Sequence, residues 1–553
     1  MGKSGDRKVI LIGLDGGTFN IINPFIEEGL LPNIASMMNR GTYGILESTI
    51  PPVTAPAWAS FMTGKNPGKH GVLQFFNFGS DMKNVNVNIY NGNTTNYLSI
   101  NEPTIFDYLK GTGKRVISIN IPMTYPPQEV DGYMISCWLT PPNAYIFTYP
   151  PELKDEIPDY RIDQYFGESK FALLPRNKKL YAQDYFADLT DVLEKRGRSA
   201  LKLLKEKEWD LFMICFTETD RIQHFYWRSI NPEYPDYYSE QIKQERIAFK
   251  GFYKKLDHIV GDLIKMSGEN VVKIIISDHG FGPPPAKRIS INYWLKSTGW
   301  LVFKQTQYSP QGFRSIVKNI LPLSFRKFIA NIKSENKGDS FTSVDWSRTV
   351  AWSINLHNYF GGIFLNKENT TASAKRKIIE GLIMLKDETT GEKIVKEIWE
   401  KQEIYNGNNM EYFPDIIYQL EEHYEAGPEG YHDLNSNSFI TTNPYPTGRG
   451  NHNRDGIYIL NGNVIEEKGC FRKYPIESIL PTVLYFLDIA IPTDIDGKIM
   501  EEVLNPSYIQ SNPPRYFHYK KIKELVKERL SILVDTSHEE QIKNKLKGLG
   551  YMG

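Results

Sequence analysis

Val9-Ile10-Leu11-Ile12-Gly13-Leu14-Asp15-Gly16-Gly17 is an apolar run that stops abruptly on an acid and two glycines. Three more runs have the same form. Arg115–Asn120 (RVISIN) is followed by Ile121-Pro122, Asp210–Phe216 (DLFMICF) by Thr217-Glu218-Thr219-Asp220, and Val271–Ser277 (VVKIIIS) by Asp278-His279-Gly280. Continuous β-branched and apolar runs of this length read as strands buried on both faces of a parallel sheet. Helical patterns at Leu30–Asn39, Asp188–Lys207 and Gln241–Met266 alternate with them, as parallel connections require. The expected fold is a three-layer α/β/α domain around a mostly parallel sheet. Ligands of open α/β sheets sit beyond the carboxyl ends of the strands, where three of these four runs carry Asp or His.

Five elements concentrate chemistry at those ends. Asp15 closes the first run, and Gly16 beside it lets backbone approach a ligand closely. Pro51-Pro52-Val53-Thr54-Ala55-Pro56-Ala57-Trp58 reads as a helix start with Thr54 as N-cap, a proline in the first turn and Gly64 as the stop. A hydroxyl at a helix N-terminus suits a phosphate group, and a metal ion there would make it a nucleophile. Asp220 and His224 stand four apart, on one face of a helical turn. Asp278-His279 end another strand, and His452 lies in the Gly-rich loop Thr447-Gly448-Arg449-Gly450-Asn451-His452. Singly, each is an ordinary structural residue. Together they supply the oxygen and nitrogen ligands that a two-metal site needs.

In this order the five elements resemble the alkaline phosphatase superfamily, and most closely its type I phosphodiesterase and nucleotide pyrophosphatase branch. Within it, the chain is similar to a prokaryotic group of predicted phosphohydrolases and phosphomutases. The stretches GLDGGTFNIINP, TIPPVTAPAWASFMTGKNPGKHGV, NIPMTYPP, SDHGFG, GNHNRDGIYIL and ILPTVLYFLDIAIPTDIDGK carry the resemblance. It implies that Asp15, Thr54, Asp278 and His279 form one metal site, that Asp220, His224 and His452 form the other, and that Thr54 becomes transiently phosphorylated. The implied cofactors are two divalent ions, usually zinc, sometimes manganese. The chain departs from the branch at Thr54-Ala55-Pro56-Ala57-Trp58. Diesterases of the branch usually carry an asparagine there to hold a phosphate oxygen. Lys65, Lys69, Arg221 and Arg454 are candidates to replace it, with Gly16 as a backbone contact. His70 reads as structural.

The expected activity is hydrolysis of a phosphate ester, with a diester favoured. The alternatives are a phosphomutase or phospho-headgroup transferase with the same residues and an acceptor other than water, and, less favoured, a non-catalytic binding protein. Sulfatase chemistry is disfavoured because Thr54-Ala55-Pro56-Ala57-Trp58 has neither the Cys or Ser nor the Arg of the Cys/Ser-x-Pro-x-Arg pattern. The substrate is expected to be a small phosphate ester such as a nucleotide, lipid headgroup or sugar phosphate. Tyrosines near Tyr145–Tyr165 and Tyr226–Tyr253 suit stacking on a base or sugar as well as they suit packing.

Composition narrows the classes further. Lys plus Arg and Asp plus Glu number 65 each, so no global field draws the chain to a nucleic-acid polymer or an anionic membrane. Cys137, Cys215 and Cys470 are too few and too scattered for a disulfide framework. They are expected as buried reduced thiols. With no stretch apolar enough to span a bilayer, the expectation is a cytoplasmic protein, with homo-oligomer formation open. Residues 1–505 are expected to form one catalytic domain, interrupted by insertions at about 80–100, 142–190 and 285–345 and an α+β excursion at about 348–410. Residues 506–553 are expected to form a helical tail.

Overall fold

A computed structural model describes residues 7–76, 94–163, 181–304, 344–427, 439–442, 449–518, 524 and 536–549. Most of the 80–100 and 285–345 insertions, residues 164–180 of the 142–190 insertion and Thr447-Gly448 lie outside them.

The four apolar runs are adjacent strands. Val271–Ile276, Lys8–Leu14, Leu211–Phe216, Val116–Ile119 and Gly132–Ile135 lie side by side in that order, all parallel, at the centre of a ten-stranded sheet. Asp455–Asn461 joins one flank antiparallel, between Val271–Ile276 and Thr42–Glu47. Burial explains the run-on apolar sequences, since every residue of Leu211–Phe216 and of Val271–Ile276 is buried. The register decides where chemistry emerges. Leu14 pairs with Phe216, and Gly13 with Ile276. Asp15, Thr217 and Ser277-Asp278 therefore leave the sheet together, at one edge.

Helices cover the sheet. Tyr181–Glu206 and Glu240–Ser267 pack against each other, and Pro32–Asn39 packs on the latter. Thr54–Thr63 is buried along all ten residues. Its small Ala55, Ala57, Ala59 and Ser60 permit that, while Trp58 fills the space that a side chain at Gly13 would need. The helix stops at Gly64, in the left-handed region at φ 66°.

A second hydrophobic core lies outside the main one. An antiparallel sheet in the order Ala351–His357, Phe360–Leu365, Ile416–Leu420, Val395–Glu400 packs with the helix Ala372–Ile383. Ile289, Ile291, Leu295 and Leu301 share this core. Its buried residues run from Val344 to Ala426, and Ile50 and Leu73 pack into the same core.

The described part of the tail packs home. Ile542 and Leu546 join the main core, and Lys545 pairs with Asp163 at 3.0 Å. Cys137 and Cys215 are buried free thiols, but Cys470 is exposed, contrary to the expectation, because it lies in a two-residue edge strand. Among the described residues no helix is long and apolar enough to cross a membrane.

Candidate active site

Seven candidate residues converge where the strands end. Asp15 follows its strand directly, and Thr219 Oγ1 and Gln223 Nε2 donate to the carbonyls of Asp15 and Gly16. Gly16 has φ 66°, and its N–H donates to Asp278 Oδ1 at 3.1 Å. A Cβ at Gly16 would stand 2.6 Å from the Phe281 ring, so the turn requires glycine. Asp278 and His279 follow Val271–Ile276. Asp220 and His224 lie one turn apart on the helix Glu218–Tyr226.

His452 corrects the sequence reading. It is not in a loop but in the short strand Asn451–Asn453, paired with Gly280–Gly282 so that His452 faces Phe281. Of the glycines that suggested a loop, Gly450 makes room for its neighbours: a Cβ there would stand 2.7 Å from the Phe281 ring and 3.0 Å from the Gln223 carbonyl.

Thr54 also differs from the expectation. Val53 is the N-cap and Thr54 the first helical residue, with no side-chain capping bond at this end. The hydroxyl is therefore not spent on the helix, and it lies 3.4 Å from His279 Nε2. Pro56 has no amide hydrogen and the Ala57 N–H goes to the Val53 carbonyl. That leaves the N–H groups of Thr54 and Ala55 at the helix end, where no intrahelical acceptor exists.

Two clusters result. In the first, His279 Nε2 lies 3.6 Å from Asp15 Oδ1 and 3.4 Å from Asp278 Oδ2. In the second, Asp220 Oδ1 lies 3.1 Å from His452 Nε2 and 3.3 Å from His224 Nε2. Asp220 also faces the first cluster, because its ligand atom lies within 4.8 Å of those of Asp15 and His279. Both buried imidazoles are oriented from behind. His279 Nδ1 bonds the Gly280 carbonyl and His452 Nδ1 the Pro52 carbonyl, which leaves each Nε2 lone pair aimed inward.

This donor set fits divalent cations. Asp15 Oδ1 and Asp278 Oδ2 are buried without a hydrogen-bond partner, and such atoms are costly unless something satisfies them. The Nε2 atoms of His224 and His452 approach to 2.8 Å, which suits two lone pairs sharing a cation. The electrostatics agree. Burial, then the charges of Asp278 and Asp220, raise the Asp15 carboxyl well above its ordinary range. Burial pushes Asp278 up to about 7. Burial also lowers His279 to about 4 and His452 to about 3, so both are neutral at pH 7. Asp220 is pushed up by burial, but His224 and His452 outweigh that and hold it well below its ordinary range.

These shifts predict a pH signature for the metal-stripped protein. Native Asp278 keeps its proton up to about pH 7, whereas the unfolded carboxyl releases it near 3.8. The native state binds more protons between those values, so stability falls as pH rises through that window. His279 and His452 act oppositely, but only below about 6.5, where unfolded imidazoles protonate. From pH 6.5 to 8 the carboxyls act alone, and Asp278 should cost about 1 kcal/mol over that range. Thermal melts should show Tm falling more steeply across this range without metal than with zinc, where buried Glu477, also pushed up to about 7, keeps a residual slope. A flat metal-free profile would contradict the buried, uncompensated carboxyls.

Other candidates lie elsewhere. Lys65 and Lys69 sit beyond the far end of the Thr54 helix; Lys65 pairs with Glu102 and Asp494, and Lys69 with Asp496. Neither is brought to the carboxylates of the site. Arg221 is buried, with a nitrogen 3.4 Å from Asp163 and its guanidinium over the Trp138 ring. Arg454 pairs with Glu47 and lines a cleft of about 950 Å³, shared with Asn20, Tyr359, Lys396 and Asn453. His70 is structural: its Nδ1 accepts from the Val72 N–H, and its Nε2 bonds Ser60 Oγ.

The sequence reading missed two residues. The Phe281 ring packs against those of His224, His279 and His452. The Ser277–Gly282 stretch SDHGFG had already placed it beside the ligands. His357, at a hairpin end of the second unit, has its ring 4.3 Å from that of His452. No local motif marks it, because it arrives from a separately folded insertion.

A family model, type I phosphodiesterase / nucleotide pyrophosphatase, matches residues 9–426. The chain therefore belongs to this family of phosphoric ester hydrolases. A solved structure shares the fold. Phosphonoacetate hydrolase from Sinorhizobium meliloti 1021, in complex with phosphonoacetate, superposes with a TM-score of 0.54 at 14% identity, covering 88% of this chain and 96% of that one. Human ectonucleotide pyrophosphatase / phosphodiesterase 5 gives a TM-score of 0.47 at 12% identity, covering 90% of this chain and 100% of that one. No curated protein sequence matches.

Proposed function

We propose that the chain hydrolyses a phosphate ester, with a phosphodiester favoured, through a phosphothreonine on Thr54. The observation that carries this reading is the Thr54 hydroxyl. It is free of any capping bond and sits 3.4 Å from His279, beside buried carboxylates with unsatisfied oxygens.

Two divalent ions, zinc favoured and manganese second, would be held by Asp15, Thr54, Asp278 and His279 and by Asp220, His224 and His452, with Asp220 facing both. When bound, they would supply Lewis acidity that lowers the hydroxyl's pKa and neutralises charge on the phosphoryl oxygens. Thr54 Oγ1 forms a bond to phosphorus as the bond from phosphorus to the leaving oxygen breaks, and the hydroxyl proton ends on that oxygen. Water then cleaves the Oγ1–P bond and restores the hydroxyl. The amides of Thr54 and Ala55 face the phosphoryl oxygens from the helix end. His279 and His452, neutral at pH 7, keep their inward lone pairs available. The free thiols Cys137, Cys215 and Cys470 suit a reducing compartment and so a cytoplasmic location.

The test is paired rates on an activated phosphodiester and an activated phosphomonoester, with metal removed and then zinc or manganese restored. Metal-dependent cleavage with the diester faster is expected. A faster monoester would make the enzyme a phosphatase or phosphomutase, and inactivity on both would overturn the hydrolase reading.

A further inference from the structure

Beside His452 stands a fourth imidazole that neither ligand group includes. His357 ends the strand Ala351–His357, and its ring centroid lies 4.3 Å from that of His452. Its nitrogens are not among the groups whose ligand atoms fall within 4.8 Å of one another. It therefore neighbours the candidate ligands.

The backbone around it is specialised. The pairing of Ala351–His357 with Phe360–Leu365 shifts register between Asn355 and His357. Such irregularities re-aim side chains beside active sites. The next residue, Asn358, lies in the left-handed region at φ 45°, which is strained for a residue with a side chain. Three contacts hold this tip against the main domain and its own unit. The Ala426 N–H donates to the Asn358 carbonyl at 2.7 Å, Tyr359 Oη donates to the Pro283 carbonyl at 3.1 Å, and Gln74 Nε2 donates to the Leu356 carbonyl. Two irregular backbone positions bracket one imidazole and are tied down on both sides.

The imidazole's chemistry is defined by its neighbour. Asn358 Nδ2 donates to His357 Nε2 at 2.9 Å. An amide nitrogen only donates, so Nε2 is the acceptor and Nδ1 carries the hydrogen. No described residue accepts from that N–H, and His357 is half-buried, so it remains open to a ligand. A side-chain N–H donor is also what the helix end lacks. Only the amides of Thr54 and Ala55 are available there, and the stretch Thr54–Trp58 has no asparagine.

We infer that His357, supplied by the inserted α+β unit, contacts the substrate by donating its Nδ1–H to a phosphoryl oxygen. This rests on the phosphohydrolase reading and deepens it. The second unit would then complete the phosphate site rather than merely flank it, so that catalysis requires the insertion to be docked.

The test uses the full-length protein loaded with zinc, and inorganic phosphate as probe. Wild type, His357→Ala, His357→Asn and Thr54→Ala are compared by calorimetry, with metal content measured for each. His357→Ala is expected to keep the wild-type metal content and to bind phosphate about tenfold more weakly or worse, the size of one hydrogen bond to a charged group. His357→Asn, which retains an N–H donor, should recover part of that loss. Wild-type phosphate affinity in His357→Ala would overturn the inference, as would loss of a metal equivalent, which would make His357 a ligand. If His357→Ala binds phosphate normally while Thr54→Ala is inactive on esters, only the role of His357 falls. If zinc-loaded wild type neither binds phosphate nor cleaves esters, the phosphohydrolase reading falls with it.

Discussion

Thr54→Ala is expected to lower kcat on the preferred ester by on the order of 10⁴-fold or more, the scale seen when a covalent nucleophile is removed. The fold should survive. Thr54 makes no capping bond, and its hydroxyl is recorded only against His279 at 3.4 Å, a long contact. Alanine is also a better helix former than threonine. The stability change should therefore stay near about 1 kcal/mol. Three carboxylates and three imidazoles remain, so zinc content should change little. Thr54→Ser retains a hydroxyl at the same helix position and should recover a measurable part of the rate. Rapid-quench experiments on wild type should trap phosphate on Thr54, and none should form in the alanine variant. A Thr54→Ala enzyme with near-normal turnover would overturn the nucleophile assignment, leaving attack by water as the alternative.

What the sequence made legible follows from how local each signal is. Four apolar runs located the central strands because a parallel sheet buries both faces, so each strand must be apolar throughout. Asp15 and Asp278-His279 were legible because strand ends are where such sheets bind ligands. Asp220 and His224 were legible because a helix turn places i and i+4 together. Where the reading slipped, the cause was tertiary. His452 lies in a strand because it pairs with Gly280–Gly282, a partner some 170 residues away along the chain. Thr54 is inside its helix, not at the cap, because Val53 takes the extended conformation that begins it. Lys65 and Lys69 looked like phosphate ligands by charge alone, but the acids that claim them, Glu102, Asp494 and Asp496, lie far off in sequence. His357 carried no motif, since its position depends on how the inserted unit docks.

Asp220→Ala is expected to cost more metal than His224→Ala, although the two residues share one helical turn. The candidate ligands fall into two groups, Asp220 with His224 and His452, and Asp15 with Asp220 and His279. Asp220 is common to both, while His224 belongs to one. It is also the carboxylate held well below its ordinary range, by His224 and His452, and hence the one ionised most readily at pH 7. Asp15 and Asp278 must each lose a buried proton before binding a cation, so they depend on the field that Asp220 and the metal together create. Removing His224 should thus empty one position and leave about one zinc equivalent, with the Asp15, Asp278 and His279 side still loaded. Removing Asp220 should weaken both positions, leaving well under one equivalent at the same free zinc. Metal analysis after dialysis against buffered zinc distinguishes the two, and circular dichroism shows whether each variant folds. If Asp220→Ala and His224→Ala both retained one equivalent, Asp220 would not span the two sites. If His224→Ala retained two, His224 would not be a ligand.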